Sequence, residues 1–200
     1  MSKGLLIVVS APSGCGKGTL LAEAAKQADF YYSVSATTRS PREGEKDGVN
    51  YHFLTREQFT KLTDSGGMLE YAEYCGNFYG TPEKAVDEML AAGRDVLLEI
   101  EVQGALRVME KRPDAVSIFI LPPSLETLRE RLTKRGTETE EVIARRIGAA
   151  GDEIKAAHKY GYVIVNDDLD TAVADFLAVI RAEKMAVKRN SDVIGRVLGS

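Results

Sequence analysis

Two hundred residues suit one domain of moderate size, long enough to bury a core, and 44% hydrophobic with 28% charged residues is an ordinary globular composition. The formal net charge of −4 supplies no general basic field to gather nucleic acid. Two cysteines and two histidines, without a CxxC or CxxxC spacing, argue against a structural zinc site.

Met1-Ser2-Lys3-Gly4 leads straight into a strand without signal-peptide architecture, and no apolar run approaches membrane-spanning length. A cytoplasmic location with no membrane partner is expected. Leu5-Leu6-Ile7-Val8-Val9 is continuously apolar, as in a strand buried on both faces of a parallel sheet. Ala11-Pro12-Ser13-Gly14-Cys15-Gly16-Lys17-Gly18-Thr19 follows, and a helix is expected from Lys17 to Ala28. The glycines let the backbone turn its N–H groups inward, and Lys17 stands at the helix start. An anion held there meets backbone donors, the positive helix end and an ammonium together. The stretch reads as a phosphate cradle, and it departs from G-x-x-x-x-G-K-[ST] at both ends. Ala11 replaces the first glycine, and Gly18 takes the hydroxyl position with Thr19 behind it, so a magnesium contact falls to Thr19 or to water. Cys15 and Cys75 read as small buried or incidental thiols.

Phe30 to Ser35 is expected to be a second strand, followed by a polar loop from Ala36 to Glu45 that Pro41 and Gly44 keep out of helix. Arg39 and Arg42 in that loop read as a second anion site, because arginine forks match phosphate oxygens; solvated surface is the alternative. Val49 to Leu54 reads as a short strand, and Thr55 with Gln58 as a capping box for a helix ending near Gly66-Gly67. Met68 to Tyr74 alternates, and Gly76 to Thr81 reads as a turn and return strand. The whole is a small antiparallel insertion. Tyr51 and Tyr79 flank glycine-bounded turns from which a phenol reaches a ligand phosphate; ordinary half-buried strand tyrosines are the alternative. Thr81 is expected to cap a helix with Pro82 at its first position and Gly93 at its close. On the next strand, Asp95 to Glu101, the carboxylates Glu99 and Glu101 project from one face. Buried charge is costly unless paired, so both are read as facing a ligand crevice at the strand's carboxyl end; a solvated edge strand is the alternative.

Gln103 to Lys111 reads as a helix and Val116 to Leu121 as an apolar strand. Helices over Ser124 to Arg135 and Val142 to Lys159 carry Arg129, Arg131, Arg135, Arg145 and Arg146 on either side of a polar, glycine-containing break. Some of these arginines belong to solvated faces, and the arrangement suits a lid closing over phosphates. Tyr162 to Asp168 is the last strand. The helix Thr171 to Lys188 is amphipathic through Val173, Phe176, Leu177 and Ile180, and the tail after Asn190 is expected to be loose.

Ala11 to Lys17, Ser35 to Arg42, Gly76 to Thr81, Arg135 to Thr139 and Val163 to Asp168 together resemble guanylate kinases in order and spacing, over essentially the whole chain. The resemblance implies an α/β fold: a three-layer P-loop kinase core with a parallel sheet (1–36, 82–125 and 159–189), a small mixed α/β GMP-binding insertion (37–81), a helical lid (126–158) and a tail (190–200). It implies phosphoryl transfer from ATP, with Mg2+, to GMP, a step of purine nucleotide metabolism; dGMP use and a homo-oligomer stay open. By the same resemblance Arg39, Arg42, Tyr51 and Tyr79 grip the GMP phosphate, and Ser35, Glu70, Thr81 and Glu101 read guanine. Residues Ala11 to Thr19 hold ATP with Arg131, Arg135 and Arg146 on its phosphates and Asn166 near the adenine. Lys17, Arg39, Arg135 and Arg146 are the catalytic set it implies. Glu99 stands where the family reaches metal-bound water, although the family often has aspartate at the positions of Glu99 and Glu101. The Gly18-Thr19 ending looks more like that of adenylate kinase.

The chemistry needs no general base, because a phosphate monoester has its second pKa near ~6 and is largely ionised at neutral pH. What remains is to align two charged phosphates and neutralise the transition state. Guanine donates from N1 and N2, so Glu70 accepts from GMP, whereas AMP presents an acceptor at N1 and leaves a buried carboxylate unpaired. Two other readings stand beside this one. A P-loop kinase acting on another phosphorylated small molecule, such as a ribose bisphosphate, does not need Glu70 and Thr81. A non-enzymatic module binding phosphorylated peptides does not need Lys17 or the lid arginines.

Overall fold

The computed structural model describes residues 3–74, 76–134 and 139–199. Cys75 and Arg135, named above, lie outside them. The chain runs β1 (Leu6–Ser10), α1 (Lys17–Ala25), β2 (Tyr31–Tyr32), β3 (Ala36–Thr37), β4 (His52–Phe53), α2 (Arg56–Asp64), β5 (Met68–Tyr74), β6 (Asn77–Pro82) and α3 (Glu83–Ala91). It continues through β7 (Val96–Glu99), α4 (Val102–Lys111), β8 (Val116–Leu121), α5 (Leu125–Lys134), α6 (Glu140–Lys155), β9 (Tyr162–Val165), α7 (Leu169–Met185) and α8 (Ser191–Leu198). The result is an α/β protein with two compact units, Lys3–Ser10 with Phe30–Ser117 and Ala11–Asp29 with Ile118–Ser200.

In the first unit β2, β7 and β1 lie side by side and parallel, Leu6 facing Val96 and Val9 facing Glu99. Leu5 to Val9 and Val96 to Leu98 are all buried, with α4 packed on β1 and α3 on β7. Fully apolar strands are the consequence of that double cover. Two buried polar groups finish the strand ends: Asp95 Oδ1 accepts from the Leu5 N–H at 3.0 Å, and Ser10 Oγ donates to the Ile100 carbonyl at 3.0 Å. A second, mixed sheet has the order β4-β3-β6-β5. The Thr55–Gln58 capping box is present at the start of α2, whose Phe59 packs with Ala36 and Met68 over that sheet.

Several local expectations fail, the first being that the insertion is antiparallel: β3 pairs with β4 in parallel. The strand expected over Phe30 to Ser35 is divided, since Tyr31–Tyr32 joins β7 while the chain crosses to the other sheet at Ala36–Thr37. Thr81 does not cap α3; Pro82 holds the N-cap and the threonine hydroxyl has a tertiary partner instead. Glu101 is not on the strand with Glu99. It is the N-cap of α4, its carboxylate accepting from the Gln103 and Gly104 N–H groups at 2.7 and 2.5 Å. The tail after Asn190 forms α8, with Asp192 and Arg196 paired at 3.1 Å and Gly199 closing the helix in the left-handed region.

In the second unit α1 packs on α7, which in turn covers β9, and β9 runs parallel to β8 with Ile118 facing Tyr162. Helices α5 and α6 pack around Cys15, Leu128, Leu132, Ile143 and Ala150. The phosphate-loop cysteine is thus part of a helical core.

Candidate active site

The glycine-rich loop after β1 turns on two glycines in the left-handed region. Gly14 and Gly16 take φ of 98° and 80°, values that a side chain would strain, and the Cys15 N–H closes a turn on the Pro12 carbonyl at 3.2 Å. Gly16 is the N-cap of α1 and offers no side chain to cap it, and the N–H groups of a helix's first turn point toward its N-terminal end, where an anion is favoured. Lys17 is the first helical residue, half-buried beside this turn, and Thr19 is exposed in the first turn of α1.

Behind the loop stands Asn166, buried just past β9. Its Nδ2 donates to the Cys15 carbonyl at 2.7 Å, and a Cβ on Gly16 would come within 2.7 Å of the same atom. The side chain therefore braces the cradle, a role that the sequence reading, which set Asn166 near adenine, did not anticipate. From α6, Arg146 hydrogen-bonds Ser13 Oγ, which brings one arginine of that helix onto the loop. Arg131 of α5 acts electrostatically on Cys15. Burial pushes the Cys15 thiol up to about 12, opposed by the charge of Arg131 and of Lys17. Arg129 instead pairs with Glu140 at 2.5 Å on the surface, a contact of small energetic weight.

In the first unit, Arg39 makes a two-pronged contact with Glu45 at 3.0 and 2.9 Å, and its guanidinium lies 5.4 Å from the Tyr51 ring centroid and 5.9 Å from that of Phe53. Tyr51 meets Tyr79 edge-on at 6.0 Å. Glu45 also accepts from the Arg42 N–H at 2.7 Å, so one carboxylate ties both arginine positions together. The Arg39 guanidinium and then the Arg42 N–H hold the Glu45 carboxyl below the usual carboxylate range. The Arg42 side chain stays exposed. Ser35, half-buried, receives the His52 N–H on its carbonyl at 2.8 Å. Arg39, Tyr51 and Tyr79 are thus gathered into one cationic, aromatic patch, with Glu45 as the member that sequence reading missed.

Close by in the same sheet, Thr81 Oγ1 donates to Glu70 Oε1 at 2.9 Å, and both residues are buried. Burial raises the Glu70 carboxyl and the Glu101 charge adds to this; the Thr81 hydrogen bond, Arg107 and Lys111 oppose it. Gly104 makes room for the carboxylate, because a Cβ there would stand 2.7 Å from Glu70 Oε2 and 3.2 Å from Glu101 Oε1. Glu99, at the end of β7, accepts from the Tyr32 hydroxyl at 2.5 Å, and burial followed by this contact raises the phenol pKa strongly.

For a magnesium ion, the residues on offer are few. Among the described residues no three His, Cys, Asp or Glu side chains are gathered into a metal cluster.

The chain is similar to known proteins over most of its length. The family model described as guanylate kinase matches residues 3–183. A guanylate kinase of Desulfitobacterium hafniense (strain Y51) is 51% identical over 187 residues, covering 93% of this chain and 94% of the relative. One from Carboxydothermus hydrogenoformans is 52% identical over 190 residues, covering 94% and 93%. The crystal structure of guanylate kinase from Anaplasma phagocytophilum aligns with a TM-score of 0.72 at 39% identity, covering 94% of this chain and 90% of that one. The chain belongs to the guanylate kinase family, which phosphorylates GMP to GDP using ATP.

Proposed function

We propose that this chain, acting in the cytoplasm, transfers the γ-phosphoryl group of MgATP in line to the phosphate of GMP. The cradle of Ala11 to Thr19 takes the ATP phosphates, with Lys17 and the first N–H groups of α1 spreading their charge. Segment 126–158 acts as a lid, Arg131 and Arg146 reaching the same phosphates and Arg135 completing the set. Ser13, already bonded to Arg146, links that lid to the loop.

Segment 37–81 holds GMP. Arg39 and Arg42 clamp its phosphate with the hydroxyls of Tyr51 and Tyr79, and because Glu45 occupies the Arg39 fork, the phosphate competes with that carboxylate. The observation that carries the acceptor assignment is the buried Glu70–Thr81 pair. Glu70 accepts from guanine N1 and N2, Ser35 lends a further polar contact, and Glu101, fixed as the cap of α4, keeps a second carboxylate beside it. Thr19 or Glu99 would hold magnesium through water, and the ion, when bound, supplies charge neutralisation on the transferring phosphoryl group. The protein's own part is alignment: two anions that repel one another are held in reacting geometry by fixed donors.

A coupled ADP-release assay with MgATP tests this, offering GMP, AMP, CMP, UMP and a ribose bisphosphate in turn. Turnover is expected with GMP, and Lys17→Met is expected to lower kcat by roughly 10²-fold or more, the scale of losing one fixed donor to a developing charge. Equal turnover with a ribose bisphosphate would contradict the acceptor assignment, and unchanged kcat in Lys17→Met the donor assignment.

A further inference from the structure

Strand β5 reaches Glu70 through an irregularity. Met68 faces Pro82 and Glu70 faces Thr81, so two steps along β5 match one along β6 and Leu69 is the extra residue of a bulge. Bulges re-aim side chains and leave ladder groups unpaired, and here the group re-aimed is the carboxylate that meets Thr81. The carbonyls on either side are taken up from α4. Lys111 Nζ donates to the Met68 carbonyl at 2.9 Å, and Arg107 donates to the Tyr71 carbonyl. Gly104, on the same helix, leaves the space into which Glu70 Oε2 projects. Three residues of α4, spaced three and four apart and so on one face, thus bear on one short stretch of β5.

From this we infer that Arg107 and Lys111 are positioning residues for guanine selection, resting on the reading above that Glu70 accepts from guanine. They touch no nucleotide. They hold the stretch from Met68 to Tyr71 by the carbonyls at its two ends, so that Glu70, between them, is held at Thr81 before GMP arrives. The charged groups around Glu70 are consistent with a second contribution: Glu101 disfavours its ionised form, Arg107 and Lys111 favour it, and Glu73 and Glu110 line the same groove beside them. Solvation alone would not require both cations to end on backbone carbonyls of the one bulged segment. A surface lysine or arginine gains little from such a contact, whereas a recognition carboxylate gains a fixed direction.

Steady-state kinetics with MgATP on Lys111→Met, Arg107→Met and the double variant test the inference, with Glu70→Gln as benchmark. Each single variant is expected to raise KM for GMP roughly tenfold and the double variant up to ~100-fold, the scale on which small misplacements of a recognition group act. KM for ATP stays at the wild-type value, and kcat changes far less than KM for GMP. Lys111→Arg, which keeps a donor of similar reach, restores the wild-type KM. General destabilisation would instead lower active enzyme and hence kcat without a selective change in KM for GMP. Should Lys111→Met fail to fold, Arg107→Met decides, because its guanidinium is at the surface. If Glu70→Gln depresses GMP use while neither cation variant shifts KM for GMP, the positioning role is overturned and the guanine reading survives. If Glu70→Gln leaves GMP use intact, the guanine reading itself is overturned, and this inference with it.

Discussion

Gly104→Ala separates recognition from folding at one atom. The added Cβ would lie 2.7 Å from Glu70 Oε2 and 3.1 Å from its Cδ, where ordinary contact begins at 3.4 Å. The carboxylate must therefore retreat by 0.7 Å, the difference between 3.4 and 2.7 Å, and Glu101 Oε1 at 3.2 Å narrows its choices. The other oxygen of the same carboxylate, Oε1, accepts from Thr81 at 2.9 Å, so turning the carboxylate away from α4 is expected to disturb that hydrogen bond and the direction in which Glu70 faces guanine. A misdirected Glu70 forfeits a hydrogen bond from guanine; one to a charged group contributes about 1.5–3 kcal/mol, which corresponds to a loss of roughly 10- to 150-fold in kcat/KM for GMP. The fold is affected in the opposite sense, because alanine is favoured over glycine inside a helix by up to about 1 kcal/mol. The assay is kcat/KM for GMP at saturating MgATP, read beside the thermal melting temperature. A variant that melts at or above wild type yet loses GMP use fits the reasoning. One whose kcat/KM for GMP stays within about twofold refutes the claim that Glu70 must occupy its position against α4.

Asn166→Ala removes the brace from the Cys15 carbonyl and leaves a buried acceptor unsatisfied, a cost of about 1–3 kcal/mol; a lower melting temperature and a raised KM for ATP are expected, with KM for GMP unchanged. The Cys15 thiol, buried and pushed up to about 12, is expected to resist an aromatic disulfide reagent at pH 8 in the native protein and to react after denaturation, as peptide mass mapping would show. Because burial raises the Glu70 carboxyl above its ordinary 4.5, its charged form is lost from the folded protein at a higher pH than from an exposed glutamate. The ratio of wild-type to Glu70→Gln kcat/KM for GMP is thus expected to fall as pH drops through that raised value. For stability the sign is reversed: protonation of Glu70 favours the fold fully below the ordinary value and ceases to do so as pH rises through the raised one. Glu70→Gln is accordingly expected to melt no lower than wild type at pH 7.

Much of this was legible where the cause is local. The glycine-rich turn, the Thr55–Gln58 capping box and the apolar run Val116 to Leu121 each follow from residues within one turn or strand, and each is present. Thr81 shows the limit. A threonine before proline and an acidic first turn looks like a cap, but a buried carboxylate eleven residues away competes for the same hydroxyl and wins. Glu101 was placed on a strand by alternation, although two N–H groups of the following helix already claimed it. Glu45, Gly104, Arg107 and Lys111 carried no signal because their partners come from distant sequence or, for Glu45, from across an irregular loop. The exposed apolar residues of α8 lack packing partners in the pattern, which made a helix read as a tail.

The account rests most heavily on guanine being chosen by Glu70 and Thr81. The measurement that tests this is kcat/KM for GMP and for AMP, with MgATP saturating, in wild type and Glu70→Gln. The ratio of GMP to AMP use is expected to fall by roughly two orders of magnitude in the variant, since an unpaired buried group is what rejects the wrong base. A ratio unchanged by the substitution would contradict the account.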